Sequence, residues 1–250
     1  MWSVGSEPAK VYLGLGTVGV WVPGTLPDET RWESVTSPNE GWLRALALLS
    51  ELEPKPRGRR VALSLSGALA RPFMFEPVQG LRRWSEAVQI AAGLAPEATG
   101  LDGICEIWMD DWSPQRPCLA IAFDKGLRAD IERTAKEQGV GLRSLQPWWT
   151  CALNEAVRSS SKDLRLLAVE EPDAMTLICG SDGQFRSVAS FAPKPEPSQI
   201  GALLTRALLA ANATAVQGVR AALSIGVVTG LLDTPTVPQR PFAPRLEHLA

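Results

Sequence analysis

The sequence predicts an α/β protein built on a mixed sheet. Strand-like segments come in adjacent groups followed by helices, and that order runs through the chain twice instead of alternating strictly as βαβ. The make-up agrees: 250 residues with 45% hydrophobic and 21% charged side chains suit a globular protein with a substantial core, and no repeat of solenoid period interrupts it.

In chain order, Lys10 to Val22 is strand-like with a glycine turn inside, and Trp32 to Thr36 adds a short strand. Trp42, Leu43, Leu46, Leu49 and Leu52 recur at helical spacing over Gly41 to Leu52. After the basic, proline-containing stretch Pro54 to Arg60, the segments Arg60 to Leu65 and Leu69 to Phe75 flank Ser66-Gly67 and predict a hairpin. Leu81 to Leu94 is a helix. Ile104 to Trp112 and Cys118 to Phe123 predict a second hairpin around Ser113 to Pro117. Asp124 is placed to cap a helix over Gly126 to Gln138, with Gly139 as its stop and Gly141 to Leu145 as the next strand.

Pro147 opens a helix through Ala156. Leu164 to Glu170, Ala174 to Cys179 and Gln184 to Phe191 read as three strands, with Ser181-Asp182-Gly183 as a tight turn. An extended connector, Pro193 to Pro197, leads to a helix at Ile200 to Ala211, and Val219 to Val228 is one more strand or helix. Leu232 to Pro244 carries four prolines and predicts a tail without a core.

Composition excludes several chemistries. A net charge of −2 asks for neither nucleic acid nor an anionic membrane surface. The single histidine, His248, argues against a Ser/His/Asp triad or a multi-imidazole zinc site. Cys105, Cys118, Cys151 and Cys179 lack ligand spacing and read as reduced core residues. With no secretory or transit pattern and no spanning apolar run, the expected location is cytoplasmic.

Gly14-Leu15-Gly16-Thr17-Val18-Gly19 matches G-x-G-x-x-G, the pattern of a dinucleotide loop. That loop must open a helix, because free N–H groups at the helix start hold the pyrophosphate. Here Val20-Trp21-Val22-Pro23-Gly24 follows, which starts no helix, so a β-hairpin turn is expected.

A strand, glycine turn and strand at the N-terminus also resembles the opening of ribonuclease-H-related, actin-like proteins. Four places in order resemble the actin-like cytoplasmic proteins of type IV pilus assembly (PilM) and the related cytoplasmic part of type II secretion (GspL). They are the hairpin Tyr12 to Val22, the segment Val61 to Phe75 with an exposed Arg71, the helix, glycine and strand of Arg128 to Gln146, and the strand region Leu166 to Ser187. The resemblance implies two ribonuclease-H-like halves, at 1–160 and 161–232, the second shortened, before a tail at 233–250. It also implies a scaffold for a pilus or secretion platform that binds the cytoplasmic segment of a single-span inner-membrane partner.

Active members of that superfamily carry D-x-G in the first loop, whose carboxylate holds metal-bound water. Gly14 stands at that position, and Trp21 approximately where the loop's lysine would be. In the second half Glu170, Glu171 and Asp173, with Thr176 beyond, stand near the second D-x-G, but Pro172 interrupts and the glycine is absent. The reading is therefore non-catalytic, with no cofactor. The alternative is an ATP-binding switch or weak ATPase in which Gly16, Thr17 and Gly19 cradle phosphates while Glu170, Glu171 or Asp173, with Thr176, serves magnesium.

Asp110-Asp111 and the basic runs Lys55, Arg57, Arg59, Arg60 and Arg82-Arg83 read as solvated surface. Nine tryptophans against one tyrosine and six phenylalanines suggest a partner face. Trp108 and Trp112 have the spacing to share one face of a strand. Adjacent Trp148 and Trp149 point in different directions at a helix start, which predicts one on the surface. All four are partner-binding candidates.

Overall fold

The computed structural model describes residues 7–23, 30–52, 60–109, 112–159, 166–181, 184–210, 218–224 and 227–230. Lys55, Arg57, Arg59, Asp110-Asp111, Asp182-Gly183, His248 and the tail lie outside the described residues.

The first sheet has the order β3-β2-β1-β4-β8. Strands β1 (Ala9–Leu13), β2 (Thr17–Trp21) and β3 (Arg31–Ser34) form an antiparallel meander, and β4 (Arg60–Leu65) and β8 (Gly141–Pro147) continue it in parallel. The second sheet, β11-β10-β9-β12-β13, repeats the beginning of this plan. There β9 (Leu166–Glu170), β10 (Met175–Ser181) and β11 (Gln184–Phe191) form the meander. Then β12 (Gly218–Ser224) runs parallel to β9, and β13 (Val227–Gly230) folds back on it. The predicted last element is thus a strand pair.

Alternation decides which residues face where. Val11 and Leu13 point into a core with α1 (Pro38–Leu52) and α3 (Lys125–Glu137), while Tyr12 points to the opposite face. Leu166 and Ala168 pack toward α5 (Pro197–Ala210), while Leu167 and Val169 share a core with Tyr12. The two sheets therefore meet across one shared core, which α4 (Trp148–Ser159) enters through Trp148, Trp149, Ala152 and Leu153.

The predicted hairpin of residues 60–75 does not form. Both edges of β4 are already taken, by β1 and β8, so β5 (Ala70–Phe75) has no place beside it. Ser66 anchors the exit by donating its N–H to Leu13 O, and its own carbonyl accepts from Leu69 and Ala70. The chain swings out to build a separate sheet, β5-β7-β6, from β6 (Cys105–Met109) and β7 (Cys118–Asp124). Helix α2 (Trp84–Thr99) covers it through Ala87, Ala91 and Ala95, whose i, i+4 spacing gives a small, closely approaching face. Arg71, expected to be exposed, is half-buried and ties this insert together, donating to Ala68 O at 3.0 Å and Thr99 O at 2.6 Å.

Candidate functional site

The first glycine turn is a hairpin loop. Gly14 N donates to Thr17 O at 2.9 Å, and Val20 and Trp21 continue in β2, antiparallel to β1, so no helix follows the G-x-G-x-x-G segment. Gly16 offers its carbonyl to Val35 N at 3.1 Å, and Thr17 Oγ1 donates to Glu33 O at 3.1 Å, joining β2 to β3. Gly19 lies between Tyr12 and Trp32 in register, and its missing side chain lets those rings meet edge-on at 5.6 Å. Lys10 is buried with its Nζ 4.4 Å above the Trp21 ring, where burial pushes its pKa down.

One further donor of the turn faces the second half. Leu15 N donates to Asp173 Oδ2 at 2.5 Å, Ser66 Oγ donates to the same oxygen at 3.2 Å, and Tyr12 Oη lies 2.8 Å from Asp173 Oδ1. Asp173 stands at the tip of the two-residue turn Pro172-Asp173, which Glu171 N closes on Ala174 O at 2.9 Å. Pro172 fixes the backbone for that reversal. The fit with the first half is close: a Cβ on Gly14 would lie 2.6 Å from Asp173 Oδ2. Any side chain there, an aspartate included, would displace Asp173.

Glu171 is buried beside this contact. Its Oε2 accepts from Gly67 N at 2.9 Å and lies 3.0 Å from Tyr12 Oη, while Oε1 has no partner among the described residues. Burial pushes its carboxyl up to about 8 and also raises the Tyr12 phenol. Ser190 Oγ donates to Gly67 O at 2.8 Å and stands 3.1 Å from Thr176 Oγ1, which is fully buried. Glu170 sits elsewhere, paired with Lys194 at 2.6 Å on the α5 side of β9. Of the second-half candidates, Thr176 lies in the seam between the halves and Glu170 does not. Strand parity is the signal that separates them, because Glu171 follows Leu167 and Val169 toward Tyr12.

These residues do not fit magnesium and a nucleotide. The Leu15 amide of the first loop already holds a carboxylate, and the Tyr12, Ser66 and Leu15 donors converge on Asp173. No cluster of three or more His, Cys, Asp or Glu suited to a metal occurs among the described residues.

The tryptophans depart from expectation. Trp148 and Trp149 are both buried, since α4 lies between the sheets and finds core over a wide arc, and Trp149 Nε1 donates to Ala70 O at 3.0 Å. Neither is available as a surface anchor. Trp108 and Trp112 do not share a face: Trp108 packs against the core of the first sheet and Trp112 against the core under α2. Trp108 tilts against Phe123 at 5.3 Å, donates to Glu106 Oε1 at 2.8 Å, and walls a groove of about 430 Å³. Leu119, Ile121, Leu153 and Phe185 also line that groove, between the insert, α4 and β11.

No family model and no curated protein matches the chain. Among solved structures, a PilM-PilN type IV pilus biogenesis complex is similar at 13% identity, with 82% of this chain and 68% of that one covered and a TM-score of 0.50. The fold is actin-like. A Bacteroides thetaiotaomicron protein of unknown function with an actin-like ATPase fold is similar at 14% identity, covering 92% and 85%, with a TM-score of 0.47. The cytoplasmic domain of EpsL, an inner-membrane component of the Vibrio cholerae type II secretion system, follows at 15% identity, 75% and 71% coverage and a TM-score of 0.43. Among the described residues, no helix of this actin-like chain is long and apolar enough to cross a membrane.

Proposed function

We propose that this protein is a non-catalytic, actin-like cytoplasmic scaffold of a type IV pilus or type II secretion platform, holding the cytoplasmic segment of a single-span inner-membrane partner. The observation that carries the reading is the Asp173 carboxylate on the Leu15 amide. An anion-binding turn that already holds an internal carboxylate cannot hold a phosphate without breaking that contact. Gly14 cannot take back a metal-holding side chain while Asp173 is in place. What remains is a groove beside Trp108 whose apolar wall of Leu119, Ile121, Leu153 and Phe185 is rimmed by Arg116, Asn154 and Gln184, suited to a peptide with both apolar and polar side chains.

Thermal-shift titration tests this, because a ligand of the native state raises stability by about 2.7 kcal/mol at a hundredfold excess over its Kd. A synthetic peptide of the partner's cytoplasmic segment is expected to raise the midpoint, Trp108→Ala to abolish that rise, and Mg-ATP to leave the midpoint unchanged. A rise with Mg-ATP that needs the metal would replace the scaffold by a nucleotide switch.

A further inference from the structure

Tyr12 Oη lies within hydrogen-bond distance of two carboxyl oxygens, Asp173 Oδ1 at 2.8 Å and Glu171 Oε2 at 3.0 Å. A phenol has one proton and can donate to only one of them. Two ionised carboxylates would leave lone pairs facing each other at the second contact, in a place closed to water. The donors are also unequal. Among the described residues, Asp173 receives Leu15 N–H, Ser66 O–H and Tyr12 O–H, whereas Glu171 receives only Gly67 N–H and its Oε1 has no partner.

We propose that Glu171 is held as the neutral acid at neutral pH, its proton passing from Oε2 to Tyr12 Oη while Tyr12 donates to Asp173, so that one proton latches the two halves. The negative charge stays on Asp173, where three donors gather. The latch spans β1, the β4–β5 turn and the β9–β10 turn, so losing its proton removes a hydrogen bond across the seam and sets two charges against each other within the β9–β10 turn.

The groups facing Glu171 are Tyr12 from β1, Asp173 from its own turn and the Cys151 thiol from α4. Burial pushes Cys151 up to about 12, leaving it neutral below strongly alkaline pH. Ser66, Gly67, Thr176 and Ser190 do not titrate. Burial holds Glu171 at about 8 against an ordinary value of 4.5. Between those values the folded chain keeps a proton that the unfolded chain has lost. Its contribution is complete below about 4.5, falls as pH rises to about 8, and is level beyond.

Infrared difference spectroscopy on the full chain, with thermal midpoints across the same pH range, decides the matter. The native protein is expected to show a protonated-carboxyl C=O band at neutral pH that titrates away in base. Glu171→Gln is expected to lack that band and to lose the part of the midpoint's decline that lies between about pH 4.5 and 8. Should that variant fail to fold, Tyr12→Phe, which removes the acceptor of the proton, is expected to shift the band. No band in the native protein, a band surviving in Glu171→Gln, an unaltered midpoint profile in that variant, or an unmoved band in Tyr12→Phe each overturns the latch.

Discussion

At the scale of single residues, the seam depends on positions with no room to spare. A Cβ on Gly67 would come within 2.5 Å of Thr176 Oγ1 and 2.8 Å of Ser190 Oγ. Gly67→Ala should therefore force the two halves apart locally and cost about 1–3 kcal/mol, read as a lower urea midpoint. Gly93, with nothing within 4 Å of an added Cβ, is the control: Gly93→Ala in α2 should leave stability unchanged or raise it by up to about 1 kcal/mol. The missing carboxylate at Gly14 was legible in the sequence. The Asp173 carboxylate lying against it was not, because that contact depends on residues far apart in the chain. Choosing Glu171 over Glu170 needed only the parity of β9, counted back from its apolar residues.

At the scale of elements, local chemistry was the most legible. Asp124 caps α3 by accepting Leu127 N at 2.6 Å, and Gly139, with φ of 68°, follows that helix before β8. Asp124→Ala should cost about 1 kcal/mol, measured by urea denaturation, with Asp124→Asn recovering most of it. What failed was adjacency. Two strand-like segments around Ser66-Gly67 looked like a hairpin, yet β4 already had two neighbours and β5 pairs with β7. Likewise, adjacent tryptophans suggested one outside and one inside, a rule for a helix with one buried face. The buried stripe of α4 is broad, with Trp148, Trp149, Ala152 and Leu153 all entering one core, so both are covered.

At the scale of the molecule, the two sheets share a core, and the seam ties them by hydrogen bonds from both sides. All nine tryptophans precede residue 150, and Trp21, Trp148 and Trp149 lie in the shared core, so indole fluorescence reports the first sheet and the seam while far-ultraviolet circular dichroism reports both sheets. The two signals should give coincident denaturation curves in the native protein. Asp173→Ala, which strips the partner from Leu15, Ser66 and Tyr12, should separate them, with the circular dichroism change beginning first. The repeated sheet plan was legible in the order of segments; the way the halves close on each other was not, because it rests on single polar atoms.

The backbone of Gly67 has one further consequence. Its N–H is held by Glu171 and its carbonyl by Ser190, two grips from the opposite half on a single residue. A hinge would tolerate gradual swing, but this clasp does not. Any force that parts the lobes must free both grips together, so separation sets in at a threshold and a weak pull is simply resisted.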